Sequence, residues 1–226
     1  MSALGKYTLI ELACYLAALN ALVVSLGWKR VEYLTKPATL LVLLAGVFRL
    51  RPYLLAEGEV NWLALALIFS LLGDVLLMLP ADLFIPGLAA FLLAHLAYIG
   101  LFINTSGAIN AASIPPALLI LVTSLTLYRR LAAGMTTPEK RKMRLPVALY
   151  TAVISVMVFL AVNTLALNTY EPLRSLLIAS GALLFMLSDT WIAWDRFVAP
   201  LRWRDLRVMS TYHLAQIFLV LGSVLG

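Results

Sequence analysis

Charge is scarce in this chain of 226 residues: Lys, Arg, Asp and Glu make up 12% of it, against 63% for apolar types. A soluble domain carries about a quarter charged residues. A water-exposed globule is therefore excluded, and a mean hydropathy of +0.97 implies an integral membrane protein. Cysteine is rarer still. The single Cys14 lies in an apolar stretch, which rules out a disulfide framework and a CxxC redox site. Long polar stretches are missing too, so residues 1–226 read as one integral membrane helical domain. The formal charge of +6 would suit a nucleic-acid partner if it formed a patch. It does not, because the basic residues fall in short connections between apolar runs.

Eight such runs are long enough to cross a hydrocarbon core, which takes about 20 apolar residues: 7–27, 33–50, 60–80, 83–105, 111–129, 145–166, 172–194 and 208–225. The second is the shortest. None alternates as a strand would, so the fold class is all-α, a polytopic eight-transmembrane-helix bundle. The first run has the look of a signal peptide, yet the spans that follow it closely mark it as a retained anchor. The connections after helices one, three, five and seven, with their flanks, hold thirteen Lys and Arg; the opposite end has only Lys6, Arg49, Arg51 and Arg174. Basic loops favour the cytoplasm, which places both termini on the non-cytoplasmic side. The short loops fit a bacterial inner membrane. The basic segment from Arg129 to Arg144 is expected on anionic headgroups, and Trp191, Trp194 and Trp203 in the interfacial aromatic belt.

Inside the apolar runs sit two carboxylates, Asp74 in LIFSLLGDVLLML and Asp189 in ASGALLFMLSDTWIAW. Ionisable groups at membrane depth are expensive and usually face a bundle interior at a functional site. Asp74 lies about six residues, roughly 9 Å, from the cytoplasmic end of its run, and Asp189 at a similar depth. The chain's only two histidines follow one helix later, His95 after 21 residues and His213 after 24. LLGD pairs with MLSD, and AHLAYI with YHLAQI. Such a shift of four helices preserves orientation and suggests a parallel 4+4 repeat about an axis along the membrane normal. Both aspartates would then face one central cavity opening toward the cytoplasmic half.

Two buried carboxyls in unlike surroundings can divide general acid and general base work. His95 and Tyr98 share a helical face, as do Tyr212 and Gln216; interhelical hydrogen bonding is the plainer role for all four. His213 points about 100° away from Tyr212 and is expected to leave the site. Lys36-Pro37 reads as the start of helix two, with Lys36 either snorkelling or holding a phosphate.

In order along the chain, Lys36-Pro37, SLLGDVLLM, FIPGLAAFLLAHLAY, GALLFMLSDTWIA and YHLAQIFL resemble the lysoplasmalogenase family of multispan membrane proteins (YhhN-like). The resemblance implies hydrolysis of the vinyl ether bond of lysoplasmalogens to a fatty aldehyde and glycerophosphoethanolamine or glycerophosphocholine. It implies Asp74 and Asp189 as the catalytic pair, and Lys36, His95, Tyr98, Tyr212 and Gln216 as contacts to a lysophospholipid drawn from the membrane. No metal or other cofactor is called for, since protonating a vinyl ether resembles the two-carboxylate chemistry of glycosidases. Three alternatives compete. A proton-coupled transporter would also use intramembrane Asp and His, but no Gly/Pro-interrupted helix recurs in both halves. A metal-dependent lipid hydrolase could gather His95, His213 and the two aspartates around zinc. An intramembrane aspartyl protease would want a GxGD pattern, where this chain has LLGD.

Overall fold

The computed structural model describes residues 7–54, 56–103 and 107–225; Lys6, counted above at the sparsely basic end, lies outside them. Among the described residues there are eight long helices and no strand. The helices are α1 (Thr8–Ser25), α2 (Lys29–Leu54), α3 (Glu57–Met78), α4 (Phe84–Ile103), α5 (Ile114–Gly134), α6 (Arg144–Ala166), α7 (Pro172–Phe197) and α8 (Arg204–Val224). A 3-10 turn at Ala111–Ser113 leads into α5, and a single helical turn at Pro138–Arg141 precedes α6.

By length and composition, α1 to α7 could each cross a membrane. Helix α8 is long enough but more polar. Its buried residues, from Val208 to Val224, cover more than half of its circumference, with His213, Gln216 and Ser223 among them, while Leu214 is exposed on the remaining side. That wide enclosed face is why its sequence can carry these polar groups.

The second helix differs most from expectation. It is 26 residues long rather than the shortest, because Lys29, Arg30 and Glu32 are adequate helix formers outside the apolar run. Pro37 therefore sits well inside α2 and not in its first turn. Proline removes one helical N–H, a loss that transmembrane helices tolerate where neighbouring groups compensate.

Short connections make sequential neighbours antiparallel. The α1–α2 turn is a Schellman motif: Gly27 N–H donates to Val24 and Trp28 N–H to Val23, with Gly27 at φ +71°. That left-handed conformation favours glycine. The most extensive packing is within the α3–α4 and α7–α8 hairpins. The two halves are not packed alike, however. Helix α8 lies along α1, whereas α5 scarcely touches α4 and is held mainly by α6. A small satellite core of Leu131, Met135, Val147 and Phe197 ties α5, α6 and α7 together at the basic end of the bundle.

Candidate functional site

Both aspartates face the bundle interior. Asp74, 1% exposed, lies four residues before Met78 at the end of α3. Asp189 lies eight residues before Phe197 at the end of α7, so the two are not equidistant from their helix ends. They are close enough to feel each other's charge.

Their surroundings differ. Asp74 is ion-paired: Lys36 Nζ lies 3.1 Å from its Oδ1, with only 7% of the lysine side chain exposed. The residue expected to hold a phosphate thus spends its charge largely on a buried carboxylate. Asp74 Oδ2 makes no well-aligned hydrogen bond, although the buried hydroxyl of Tyr212 lies close enough to interact directly with the Asp74 carboxylate. Asp189 instead accepts a short hydrogen bond from the Tyr150 hydroxyl, and His95 Nε2 lies 3.5 Å from its Oδ2. Neither imidazole nitrogen of His95 makes a hydrogen bond within the protein.

An aromatic hub organises these groups. Phe185, one turn before Asp189 on α7, is fully buried. Its ring lies 4.7 Å from His95, 5.4 Å from Tyr212, 6.1 Å from Phe91 and 6.3 Å from Tyr98, mostly edge-on. Below the hub, Tyr98 Oη donates to Gln216 Oε1 at 2.6 Å, and Gln216 Nε2 donates to Ser70 Oγ at 2.9 Å. This chain of bonds ties α4, α8 and α3 together. His213 does not leave the interior: it is 2% exposed, its Nε2 unpartnered, within electrostatic reach of Lys36.

Sequence reasoning missed Tyr150 and Ser70. Tyr150 is a lone polar tip in the run RLPVALYTAV, and nothing local marks it out, because its partner lies 39 residues away on another helix.

Two kinds of space reach the site. An apolar cleft lies among α4, α5, α6 and α7, with Asp189 and Tyr150 in its wall beside Phe91, Leu127, Ile154 and Met186. It encloses about 630 Å³ between atoms, mouth included. The cleft occurs where α5 stands off α4. On the other side, at the basic end, Lys29, Glu32, Lys36, Arg204 and Asp205 line a charged vestibule of about 580 Å³ on the same measure. Its charges are mutually engaged: Lys29 pairs with Glu32 at 3.0 Å and Asp205 at 3.1 Å, and Arg204 pairs with Asp205 at 2.7 Å. Nearby, on the α3–α4 connection, the hydrogen-bonded Arg196 guanidinium holds the exposed Asp82 carboxyl below the usual carboxylate range. Among the described residues, no three His, Cys, Asp or Glu side chains come together as metal ligands.

Known proteins resemble this chain over most of its length. It is 33% identical over 168 residues to lysoplasmalogenase TMEM86B of Homo sapiens, covering 74% of this chain and 65% of that protein. It is 30% identical over 193 residues to a lysoplasmalogenase of Mycobacterium bovis, covering 84% and 69% respectively. Lysoplasmalogenase TMEM86A of Homo sapiens is 30% identical over 174 residues, covering 76% and 69%. The chain thus spans about two thirds of the length of these curated relatives. No solved structure matches it. The model of the YhhN family matches residues 31–223, which include both aspartates, both histidines and the Lys36 pair, and the chain belongs to that family.

Proposed function

We propose that the protein is a lysoplasmalogenase, a membrane hydrolase cleaving the vinyl ether of a lysophospholipid to a fatty aldehyde and a glycerophosphodiester. The observation that carries this reading is Asp189 and its Tyr150 hydroxyl in the wall of an apolar cleft, beside a charged vestibule. A one-chain lipid needs such a division, with its headgroup among charges and its chain among apolar groups. The curated names of the relatives point to the same substrate class.

Asp189 is the proton donor in this scheme, because it lines the cleft and Asp74 does not. Its carboxyl proton goes to the alkenyl carbon beta to the ether oxygen, leaving an oxocarbenium ion at the alpha carbon. Water activated at the Asp74 carboxylate adds to that carbon and gives its proton to that carboxylate. The resulting hemiacetal collapses to aldehyde and alcohol, so that one water is consumed overall. The Lys36 ammonium balances the Asp74 carboxylate throughout. His95 packs beside Asp189, and the Tyr98–Gln216–Ser70 chain beneath the hub holds the helices that carry these groups. The basic end faces the cytoplasm, so headgroups arrive from that side.

The test uses the purified protein with 1-alkenyl-lysophosphoethanolamine and its 1-acyl analogue, measuring aldehyde and fatty acid. Aldehyde from the alkenyl lipid alone is expected. It should fall by roughly 10²–10⁴ in Asp189→Asn, the range supplied by positioned acid–base groups. Aldehyde release that survives both Asp189→Asn and Asp74→Asn would sink the carboxylate mechanism.

A further inference from the structure

The spaces around the site meet at two apolar side chains. Leu77 of α3 and Ile192 of α7 wall the apolar cleft and the charged vestibule, together with a third cavity of about 640 Å³ beside Asp82, Asp195 and Arg196. Anything with one end in the charged spaces and the other in the cleft must pass between or over them.

Both side chains are packed from behind. Leu77 Cδ2 lies against the backbone of α4, where a Cβ placed on Gly87 would come within 2.5 Å of it. Ile192 is β-branched and in a helix has one strongly preferred χ1 rotamer. Phe84, which walls the cleft and the third cavity, is also fixed. It meets Phe197 edge-on at 5.9 Å and carries the Arg196 guanidinium 4.9 Å from its ring, and Arg196 is paired with Asp82 at 2.7 Å. Beyond these residues the cleft is walled by apolar side chains of α4, α5, α6 and α7.

We infer that Leu77 and Ile192 form a neck that restricts the site to lipids with a single hydrocarbon chain. The inference rests on the hydrolase reading above and assigns its selectivity to residues outside the catalytic groups. With one chain in the cleft and the headgroup among Lys29, Arg204 and Asp205, the glycerol lies in the neck. A second chain on the adjacent glycerol carbon has two places to go. It either shares a passage one chain wide, or lies among the salt bridges of the vestibule, where its apolar surface gains nothing.

The experiment compares wild type with Leu77→Ala and Ile192→Ala, and with the milder Leu77→Val and Ile192→Val in case the alanine variants fail to fold. Each is checked by size exclusion and thermal midpoint. Aldehyde is measured from 1-alkenyl-lysophosphoethanolamine and from its 2-acyl counterpart. Binding is measured in parallel with the non-hydrolysable 1-alkyl lysolipid and its two-chain diether analogue. The two-chain to one-chain turnover ratio is expected to rise at least tenfold in the opened variants. An unchanged ratio in folded variants overturns the neck. If wild type releases no aldehyde from either lipid, the hydrolase reading fails and the ether pair decides the neck alone. Discrimination by wild type that is lost in the variants supports it, and equal binding of both ethers by wild type overturns it.

Discussion

Tyr98 of α4 and Gln216 of α8 are joined by a 2.6 Å hydrogen bond, and they occupy equivalent positions in the paired segments AHLAYI and YHLAQI. The bond joins the two paired segments directly across the bundle interior. The neighbouring contacts cross the same way: His95 of the first segment lies by Asp189 of the second half, and His213 of the second segment lies by the Lys36–Asp74 pair.

Breaking the bond between these two residues should loosen the bundle. Tyr98→Phe or Gln216→Leu alone is expected to cost about 1–2 kcal/mol, because each leaves a buried polar partner unpaired. The double variant should cost less than the sum of the two. Unfolding midpoints in detergent for all four proteins check this, and strict additivity would show that the bond carries no coupling.

The ion pair of Lys36 and Asp74 behaves differently from a surface pair. Lys36→Met strands a carboxylate with 1% exposure, and removing one partner of a buried pair costs about 3–5 kcal/mol. Lys36→Met combined with Asp74→Asn should recover most of that stability while remaining inactive. A stable Lys36→Met single variant would mean that another group balances Asp74.

For Tyr150 the expected loss is kinetic. Its hydroxyl donates to Asp189, and a hydrogen bond to an ionisable group is worth about 1.5–3 kcal/mol. Tyr150→Phe should therefore lower kcat by roughly 10- to 100-fold at about 1.4 kcal/mol per tenfold, with KM little changed. Steady-state kinetics on the alkenyl lysolipid give the answer, and a KM effect alone would make Tyr150 a binding residue.

Gly73, next to Asp74, cannot accept a methyl group without movement. A Cβ there would stand 2.6 Å from the Phe91 ring, and overpacking of this kind costs about 1–3 kcal/mol. Gly73→Ala is expected to lower the thermal midpoint and to shift Phe91 against Phe185 and Tyr212. An unchanged midpoint would mean that the α3–α4 contact yields.

Chelation separates the two lipid-hydrolase mechanisms. Since the described histidines and carboxylates do not converge as ligands, EDTA is expected to leave aldehyde release unchanged. Loss of activity with EDTA, restored by added zinc, would move the chemistry to a metal.

Much of this protein was decided by sequence alone. Apolar runs of membrane length can satisfy their backbone only as helices, so the all-helical bundle was legible before any coordinates. Asp74 and Asp189 stood out because a carboxylate in such a run is costly. Helical register put Tyr98 and Gln216 on inward faces and turned His213 about 100° from Tyr212, yet His213 is buried too, because the enclosed face of α8 is wide enough to take in both directions. Only the tertiary structure decided which groups meet. It gave Lys36 to Asp74 and Tyr150 to Asp189, and it opened the cleft where α5 stands away from α4. These pairings join residues 38 and 39 positions apart on different helices. Whether two such side chains touch depends on helix rotation and packing, which no local pattern records.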